Sequence, residues 1–454
     1  EKTVSELVNR VFAVKLPFKL EKEIIIIDDG STDNSKSVIE ALDVKNLRRF
    51  YQKENLGKGA AIRKGFNHAK GDILIIQDSD FEYDPKYYPS LLKPFFEKKV
   101  QVVYGTRLLN YPLKLWGKNK TILPTHLLAN KFLSAFTNLL YGSKLTDMET
   151  GYKILTRKAL NKLSLHSNGF EIEAEITAKL LKNKVENSVR NLFFSNGFRE
   201  LECPTVLPDI VWDASGHLHT FKDKIVECSK CKSIFRADKL IEEFSNKEAT
   251  GLNDKELLKE IKKIKCTSCQ GNFKEEIKGY SLMMKTKVGE KPFSLRPETA
   301  TVTYLPFKRL NEYFRKIPFA VFQIGKAYRN EISPRQHLLR CREFTQAEAQ
   351  LFIDPKEKNN WEKYEFVKKE KLPLYTSHHQ EKNLKLENIS LEEAIKHKHI
   401  KTKAYAWCLY LAYKQFLSMG ISKERIRIRQ HLNDERAFYA DDAWDIEILT
   451  NNYG

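Results

Sequence analysis

Three short apolar runs, EIIIIDD at 23–29, DILIIQD at 72–78 and VQVVYGT at 100–106, alternate with stretches of helical spacing such as SVIEAL, KGAAIRKGFNHA and YYPSLLKPFFE. A short apolar run closed by polar turn residues is the pattern of a strand covered on both faces. Strands that alternate with helices build a parallel sheet with crossover helices. This rhythm predicts an α/β layer domain over residues 1–183. Beyond it the strand candidates lengthen and mix polar with apolar residues (FRELECPTVL, FAVFQIGKAYR, REFTQAEAQLF), which predicts an α+β domain on a largely antiparallel sheet over residues 184–454. No linker rich in Gly, Pro or Ser separates the two, and no internal repeat is visible.

Composition narrows the classes. A 454-residue chain with 41% hydrophobic residues is long and apolar enough for several packed cores, which excludes disorder and fibres. No run reaches the ~18 to 20 apolar residues of a membrane span. The opening EKTVSELVNRVFAV lacks the basic, apolar, small-residue order of a secretory signal. The expectation is a cytoplasmic protein with at most peripheral membrane contact. The net charge of +19 favours polyanionic partners such as tRNA, nucleotides or anionic headgroups, although much of the Lys is scattered along solvated faces.

Four of the seven cysteines form two Cys-x-x-Cys pairs, Cys228 with Cys231 and Cys266 with Cys269. Each pair is a knuckle that aims two thiolates at one ion, and two knuckles complete a tetrahedral Zn²⁺ site with no open position. The expectation is a structural zinc ribbon inserted over residues 226–272. Cys203, Cys341 and Cys408 stand alone and read as core thiols. The pairs His378-His379 and His397-x-His399 raise a second metal, but in their Lys-rich surroundings they read as a solvated loop.

Carboxylates cluster at the ends of the early strands. The first run closes in Asp28-Asp29-Gly30-Ser31, and the second in Gln77-Asp78-Ser79-Asp80. Open α/β sheets bind ligands at the C-terminal ends of their strands. An Asp-x-Asp there offers two hard oxygens to Mg²⁺ or Mn²⁺ bridging a diphosphate, while turn and helix capping is the structural alternative. In order, DDGSTDNS, NLGKGAAIRKGF, QDSDFEYDP, YGTR, TDMETGYKILTRKAL and GFEIEAEITAKL resemble the GT-A fold glycosyltransferases that make polyprenyl (dolichyl) phosphate sugars. The resemblance implies a Rossmann-like GT-A domain and an inverting transfer from a nucleotide sugar to a polyprenyl phosphate. It assigns Asp28 and Asp29 to the nucleotide, Asp78 and the catalytic Asp80 to the divalent metal, and Arg107 to phosphate. Asp147 and the Glu171 to Glu173 segment fall on the acceptor side.

The later half carries WDASGH, FSLRPETA, FQIGKAYRNEISPRQHLLRCREFTQAEAQLF and RIRQHLNDERAFYADDAWDIEI. Arg329, Glu331, Arg340 and Arg342 flank a hairpin turning near Pro334. An arginine there can clamp an α-phosphate, and Glu298, Glu331 and Glu348 can hold an ammonium group. As an ordered set these motifs resemble class II glycyl-tRNA synthetase of the archaeal and eukaryotic dimeric type. The resemblance implies ATP, glycine and tRNA(Gly) as ligands and a homodimer formed through Pro204 of the first motif. Arg329 would contact the ATP α-phosphate and the glycine carboxylate, Glu331 the adenine side, and Glu298 and Glu348 the glycine amino group. His337 and the segment Thr301 to Tyr304 depart from the family pattern. Both resemblances stop short at their ends, so the expectation is a chimera of two truncated enzymes with impaired activities. A genuine bifunctional enzyme and a non-catalytic tRNA- or partner-binding module are the alternatives.

Overall fold

The computed structural model describes residues 1–107, 124–141, 143–245, 249, 252–332, 340–433, 435–436 and 440–450, with backbone alone at 124–126 and 139–141. Pro334 and His337 lie outside the described residues. The chain divides into two compact units, Glu1–Asn187 and Ser188–Gly454, and the division falls inside the helix Ile172–Ser195.

In the first unit the expected apolar runs are strands β1 (Ile24–Asp28), β3 (Ile73–Ile75) and β4 (Val102–Tyr104), joined by β2 (Leu47–Tyr51) and β5 (Lys153–Thr156). The helices Ser35–Glu40, Lys58–His68 and Tyr88–Glu97 lie where the spacing puts them. β1 and β2 are parallel, with Asp28 opposite Tyr51. The wholly parallel sheet expected from the rhythm is corrected by β5, which runs antiparallel between β3 and β4. Its run KILT is too short for periodicity to show, and its place follows from burial on both faces. Leu155 packs with Phe66, Leu74, Ile172 and Ile176, whereas Ile154 packs with Tyr83, Tyr88, Leu92 and Phe95.

The second unit carries β6 (Arg199–Glu200), β7 (Val206–Pro208), β8 (Lys222–Glu227), β9 (Ile234–Arg236), β10 (Lys278–Ser281), β11 (Lys285–Val288), β12 (Lys291–Leu295), β13 (Phe319–Tyr328), β14 (Glu343–Phe352), β15 (Lys371–Tyr375), β16 (Glu387–Ser390), β17 (Ile426–Gln430) and β18 (Trp444–Ile448). They form sheets of order β10-β8-β9, β11-β12-β7, β14-β13-β6 and β16-β15-β17-β18. Among the described pairings all are antiparallel except β6 with β13 and β15 with β17, so the antiparallel expectation holds.

The β13–β14 hairpin sets the frame, with Phe319 opposite Phe352 and Tyr328 opposite Glu343. Phe322 of β13, with Ala349 and Leu351 of β14, packs toward a core that also holds Leu372, Leu374, Trp407 and Ile428. Arg296 sits beneath the hairpin at 3% exposure. Its guanidinium donates to the carbonyls of Cys203 (2.7 Å), Pro204 (3.3 Å) and Lys326 (2.7 Å). Position 325 must be Gly, because a Cβ there would overlap that guanidinium.

The segment expected as a solvated loop around the four histidines is folded. His378 and His379 lie on the short helix Ser377–Glu381, and His397 caps the helix Leu391–Lys396. Leu372, Leu374, Leu391 and Ala394 are fully buried, and His379 is 7% exposed with its Nδ1 2.6 Å from Thr376 Oγ1. Lys and Glu residues between these apolar positions mask the pattern in the sequence.

Candidate functional site

Two groups of chemistry-bearing side chains form, one in each unit, and a set of four thiols accompanies the second. In the first unit the strand ends present Asp28, Asp29 and Asp78, and each already has partners. Asp28 accepts from the backbone N–H of Ser31 (3.3 Å) and from its hydroxyl. Asp29 accepts from the N–H groups of Leu56 (3.0 Å) and Gly57 (2.8 Å) and from the Gln52 amide, so it closes the loop ahead of the helix Lys58–His68. Gly30 (φ +71°) is required in that turn, since a Cβ would come 2.5 Å from the carbonyl carbon of Glu54.

Asp78 is paired with Lys58 at 2.9 Å, and Lys58 is also 2.9 Å from Glu173. Glu173 is paired in turn with Lys153, which is fully buried and also donates to the Thr150 carbonyl. Burial pushes the Lys153 ammonium down, and Glu173 opposes that push. Lys58 ends up raised, because Glu173 and Asp78 outweigh its own desolvation. The result is a linear chain of alternating charges, Asp78, Lys58, Glu173 and Lys153, in which Asp78 faces a cation. Asp80 stands apart from it and accepts from the N–H of Glu82 (3.0 Å) in the following turn.

Arg107 and Asp147, expected in separate roles, form a two-pronged pair. Arg107 Nε lies 2.9 Å from Oδ2 and Nη2 lies 3.2 Å from Oδ1 of Asp147, which is 1% exposed. The guanidinium also lies over the Tyr83 ring, 5.4 Å from its centroid. This pairing fixes the guanidinium and leaves its other edge toward Glu82, 3.7 Å away. Lys58 and Lys153 went unread in the sequence, although a Lys inside the apolar run YKILT is the signal that a buried counter-charge exists.

In the second unit the site is built on one face of β14. Phe344, Gln346 and Glu348 alternate with Thr345, Ala347 and Ala349, and the period of two puts the first set on the face opposite the core. Arg329 continues β13 across that face. Its guanidinium lies between the rings of Phe221 (5.4 Å) and Phe344 (5.2 Å), and its Nε donates to the Pro297 carbonyl (3.2 Å). Arg342 ties the hairpin shut, its carbonyl accepting from the Arg329 N–H (3.0 Å) and its Nε donating to the Glu331 carbonyl (3.1 Å). Arg340 lies 3.8 Å from the Glu331 carboxylate.

Glu298 and Glu348 come together as expected, with opposite electrostatics. Glu298 lies 3.4 Å from His217 Nε2 and accepts from the Thr301 hydroxyl (3.1 Å). The hydrogen bond from His217 holds its carboxyl below the usual range. Glu348 accepts from the Thr299 hydroxyl (2.8 Å), yet burial, with the Glu298 charge adding to it, pushes its carboxyl up. One carboxyl is held down and the other pushed up, an arrangement that a cation entering between them relieves. His217, Thr299, Phe344 and Gln346 fall within the motifs but carry no assigned role, and Phe221 falls outside them; Gln346 Oε1 accepts from the Thr299 N–H (3.2 Å).

The four thiols converge. Cys228 and Cys269 Sγ are 3.5 Å apart, Cys231 and Cys266 Sγ are 3.6 Å apart, and all four lie within 4.8 Å of one another. Thiolates ~2.3 Å from a common tetrahedral ion sit about 3.8 Å apart, so the set fits a metal and is too open for disulfides. The two knuckles are alike. In each, the residue after the second cysteine, Lys232 (φ 61°) or Gln270 (φ 58°), is left-handed and returns its N–H to the carbonyl of the first cysteine, at 3.1 and 2.8 Å. Among the described residues this is the one such group of ligands, and Asp78 and Asp80 do not form another.

Comparison with known proteins divides the chain along the same lines. Residues 1–164 match the model of Glycosyl transferase family 2, and residues 284–453 match that of the tRNA synthetase class II core domain (G, H, P, S and T). The chain is 45% identical over 280 residues to a glycine–tRNA ligase of Thermococcus gammatolerans, covering 60% of this chain and 49% of that protein. It is 43% identical over 307 residues to one from Methanococcus maripaludis, covering 63% and 53%. The chain thus spans about half the length of the curated relatives it matches. A threonyl-tRNA synthetase RNA-binding domain from Cryptosporidium parvum aligns at a TM-score of 0.27 and 18% identity over 51% of this chain and 43% of that one, a level from which no fold relation follows. The chain is thus similar to a different family in each of these two segments, and no described helix is long and apolar enough to cross a membrane.

The charge chain of the first unit yields a stability prediction. Lys153→Ala leaves Glu173 buried with half its compensation and is expected to lower unfolding free energy by about 3 kcal/mol. Lys153→Met combined with Glu173→Leu removes both charges and recovers most of that loss. Urea unfolding of the two variants reads the difference.

Proposed function

We propose that the second unit activates glycine with ATP for transfer to tRNA(Gly), and that the first transfers a sugar from a nucleotide sugar to a polyprenyl (dolichyl) phosphate. The observation that carries the first reading is that Glu348, held by Thr299, shares a face of β14 with Phe344, whose ring lies against the Arg329 guanidinium, with Glu298 beside them on Thr301. Glycine is an ammonium joined to a carboxylate by one methylene. The two glutamates hold its ammonium, and Arg329 takes the carboxylate together with the ATP α-phosphate. A guanidinium held flat between two rings presents its fork to planar or tetrahedral oxyanions, and it stabilises the charge that builds as the glycine carboxylate displaces pyrophosphate. Glu331, with Arg340 beside it, serves the adenine end, and a site this tight excludes larger side chains.

Zn²⁺ is the metal that four thiolates at this spacing favour, as a structural ion in a ribbon over residues 226–272. Thiols kept reduced for it suit a cytoplasmic setting. The exposed Tyr304, Leu305 and Tyr313 suit burial against a second copy, in line with a homodimer of the synthetase core.

For the first unit, Asp78 and Asp80 hold Mg²⁺ or Mn²⁺ on a nucleotide diphosphate, and the ion supplies Lewis-acid stabilisation of the leaving group. Asp28 and Asp29 shape the nucleotide pocket at the end of β1. Arg107, oriented by Asp147, faces phosphate, and Lys58 gives up Asp78 to the incoming ion while keeping Glu173. The acceptor phosphate is already an anion and needs little base assistance.

Calorimetry tests both readings. Because Glu348 is raised in the free protein, a proton competes with the glycine ammonium from a higher pH than for an ordinary carboxylate, so glycine affinity falls as pH drops through the raised Glu348 value and levels off above it. Glu348→Gln removes that pH dependence and weakens glycine by about 2 kcal/mol while ATP affinity stays the same. Pyrophosphate-side control comes from Arg329→Lys, which weakens ATP. For the first unit, binding of GDP-mannose or UDP-glucose should require Mg²⁺ or Mn²⁺ and vanish in Asp80→Ala; metal-independent binding contradicts the assignment.

A further inference from the structure

The sheet that carries the four cysteines is fastened to the arginine site at two points. Phe221, one residue before β8, stacks on the Arg329 guanidinium. Leu282, one residue after β10, donates its N–H to the Phe221 carbonyl (3.1 Å) and accepts from the Asn330 N–H (2.8 Å), so the peptide between Arg329 and Glu331 is bonded to the ribbon strands. Inside the ribbon, Arg236 closes β9 with Nη1 3.3 Å from Asp223 of β8 and Nη2 2.6 Å from Asp238. The charges of Glu331 and Arg340 act on Asp223, and Glu331 also acts on Arg236, although both belong to the hairpin and not to the ribbon.

The cysteines hold the other end of these strands. β8 runs straight into Cys228, and β8 pairs with β9 through Ile225–Arg236 and Glu227–Ile234 and with β10 through Asp223–Tyr280. Between Cys231 and Cys266 the chain makes a long excursion that returns to the sheet at Phe273, opposite Cys228. With an ion bound, the two knuckles close this loop and fix the β9-β8-β10 register. The sheet itself is only three short strands, which alone specify their register weakly.

We propose that occupancy of the four-cysteine site and occupancy of the nucleotide site are thermodynamically linked, with Arg236 and Asp223 as positioning residues that act through Glu331 and Arg340. The inference rests on the reading of the Arg329 site as an ATP site. Linkage is reciprocal: if the bound ion strengthens ATP binding by some factor, ATP strengthens retention of the ion by the same factor. Neither Arg236 nor Asp223 touches substrate in this account. They hold the acidic and basic groups of the hairpin in the geometry that ATP meets.

The test uses the full chain loaded with Zn²⁺. Zn²⁺ release into a chromogenic chelator is followed with no nucleotide, with saturating Mg-ATP, and with Mg-GTP as a control for chelation by the nucleotide itself. ATP is expected to reduce Zn²⁺ release about tenfold beyond GTP. Arg236→Gln should still take up one Zn²⁺ per chain and release it at the rate of the nucleotide-free protein whether or not ATP is present, and Arg236→Lys should restore part of the slowing. ATP binding seen by calorimetry with an unchanged release rate overturns the inference while leaving the ATP site standing. Retention of the full slowing in Arg236→Gln overturns the role of that residue. Failure of the zinc-loaded chain to bind ATP overturns the reading of the site and the linkage with it. The release measurement on the unaltered chain needs no variant to fold.

Discussion

The two-residue period of an extended strand is the constraint on which the second unit depends. β13 and β14 pair over ten residues each, and every side chain must face either the core or the opposite surface. Along β14 the assignment is clean: Ala349 and Leu351 pack with Phe322 and the core behind it, while Phe344, Gln346 and Glu348 share the other face. A slip of one residue would turn the Glu348 carboxylate into that core and expose Leu351. The same burial that holds the register therefore delivers Glu348 to Thr299 and Phe344 to Arg329, and the geometry of the candidate site comes as a by-product of core packing.

Charge is handled differently in the two units. In the first, the buried carboxylate Glu173 is compensated by Lys153 and Lys58, which satisfies the site internally and leaves Asp78 as its outer terminus. In the second, the carboxylates at 298 and 348 have hydroxyl and imidazole partners but Glu348 has no full counter-charge among the described residues, and its proton affinity rises as a result. An internally neutralised cluster suits a scaffold that yields to an incoming ion, whereas an under-compensated pair suits a ligand that brings its own positive charge.

Much of this was legible in the sequence. Strands built from uninterrupted apolar runs, the helices between them and the hairpin flanked by arginines stand where spacing put them. The cysteine knuckles were legible because a metal site demands fixed residue types at fixed separations. β5 was hidden because four residues cannot display a period and because its neighbours lie far away in sequence: Ile73 meets Thr156, and Val102 meets Leu155. The sheet β16-β15-β17-β18 was hidden because its apolar positions Leu372, Leu374, Ile389 and Leu391 are few and the stretch between the two strands is rich in Lys and Glu, and so the histidine segment read as solvent-exposed. Arg107 and Asp147 each carried a plausible role, but their union across 40 positions is a property of the fold alone. Phe221 as the partner of Arg329 is of the same kind, since nothing local distinguishes a clamp ring from a core ring.

In the proposed function, Arg329, Glu298 and Glu348 form a site for joining glycine to the α-phosphate of ATP. Glycine-dependent exchange of labelled pyrophosphate into ATP by the zinc-loaded chain measures that step without tRNA. Exchange with glycine, absent with alanine and sharply reduced in Arg329→Lys, is the predicted result. Exchange that proceeds equally with alanine, or none at all with glycine under conditions where ATP is bound, would contradict it.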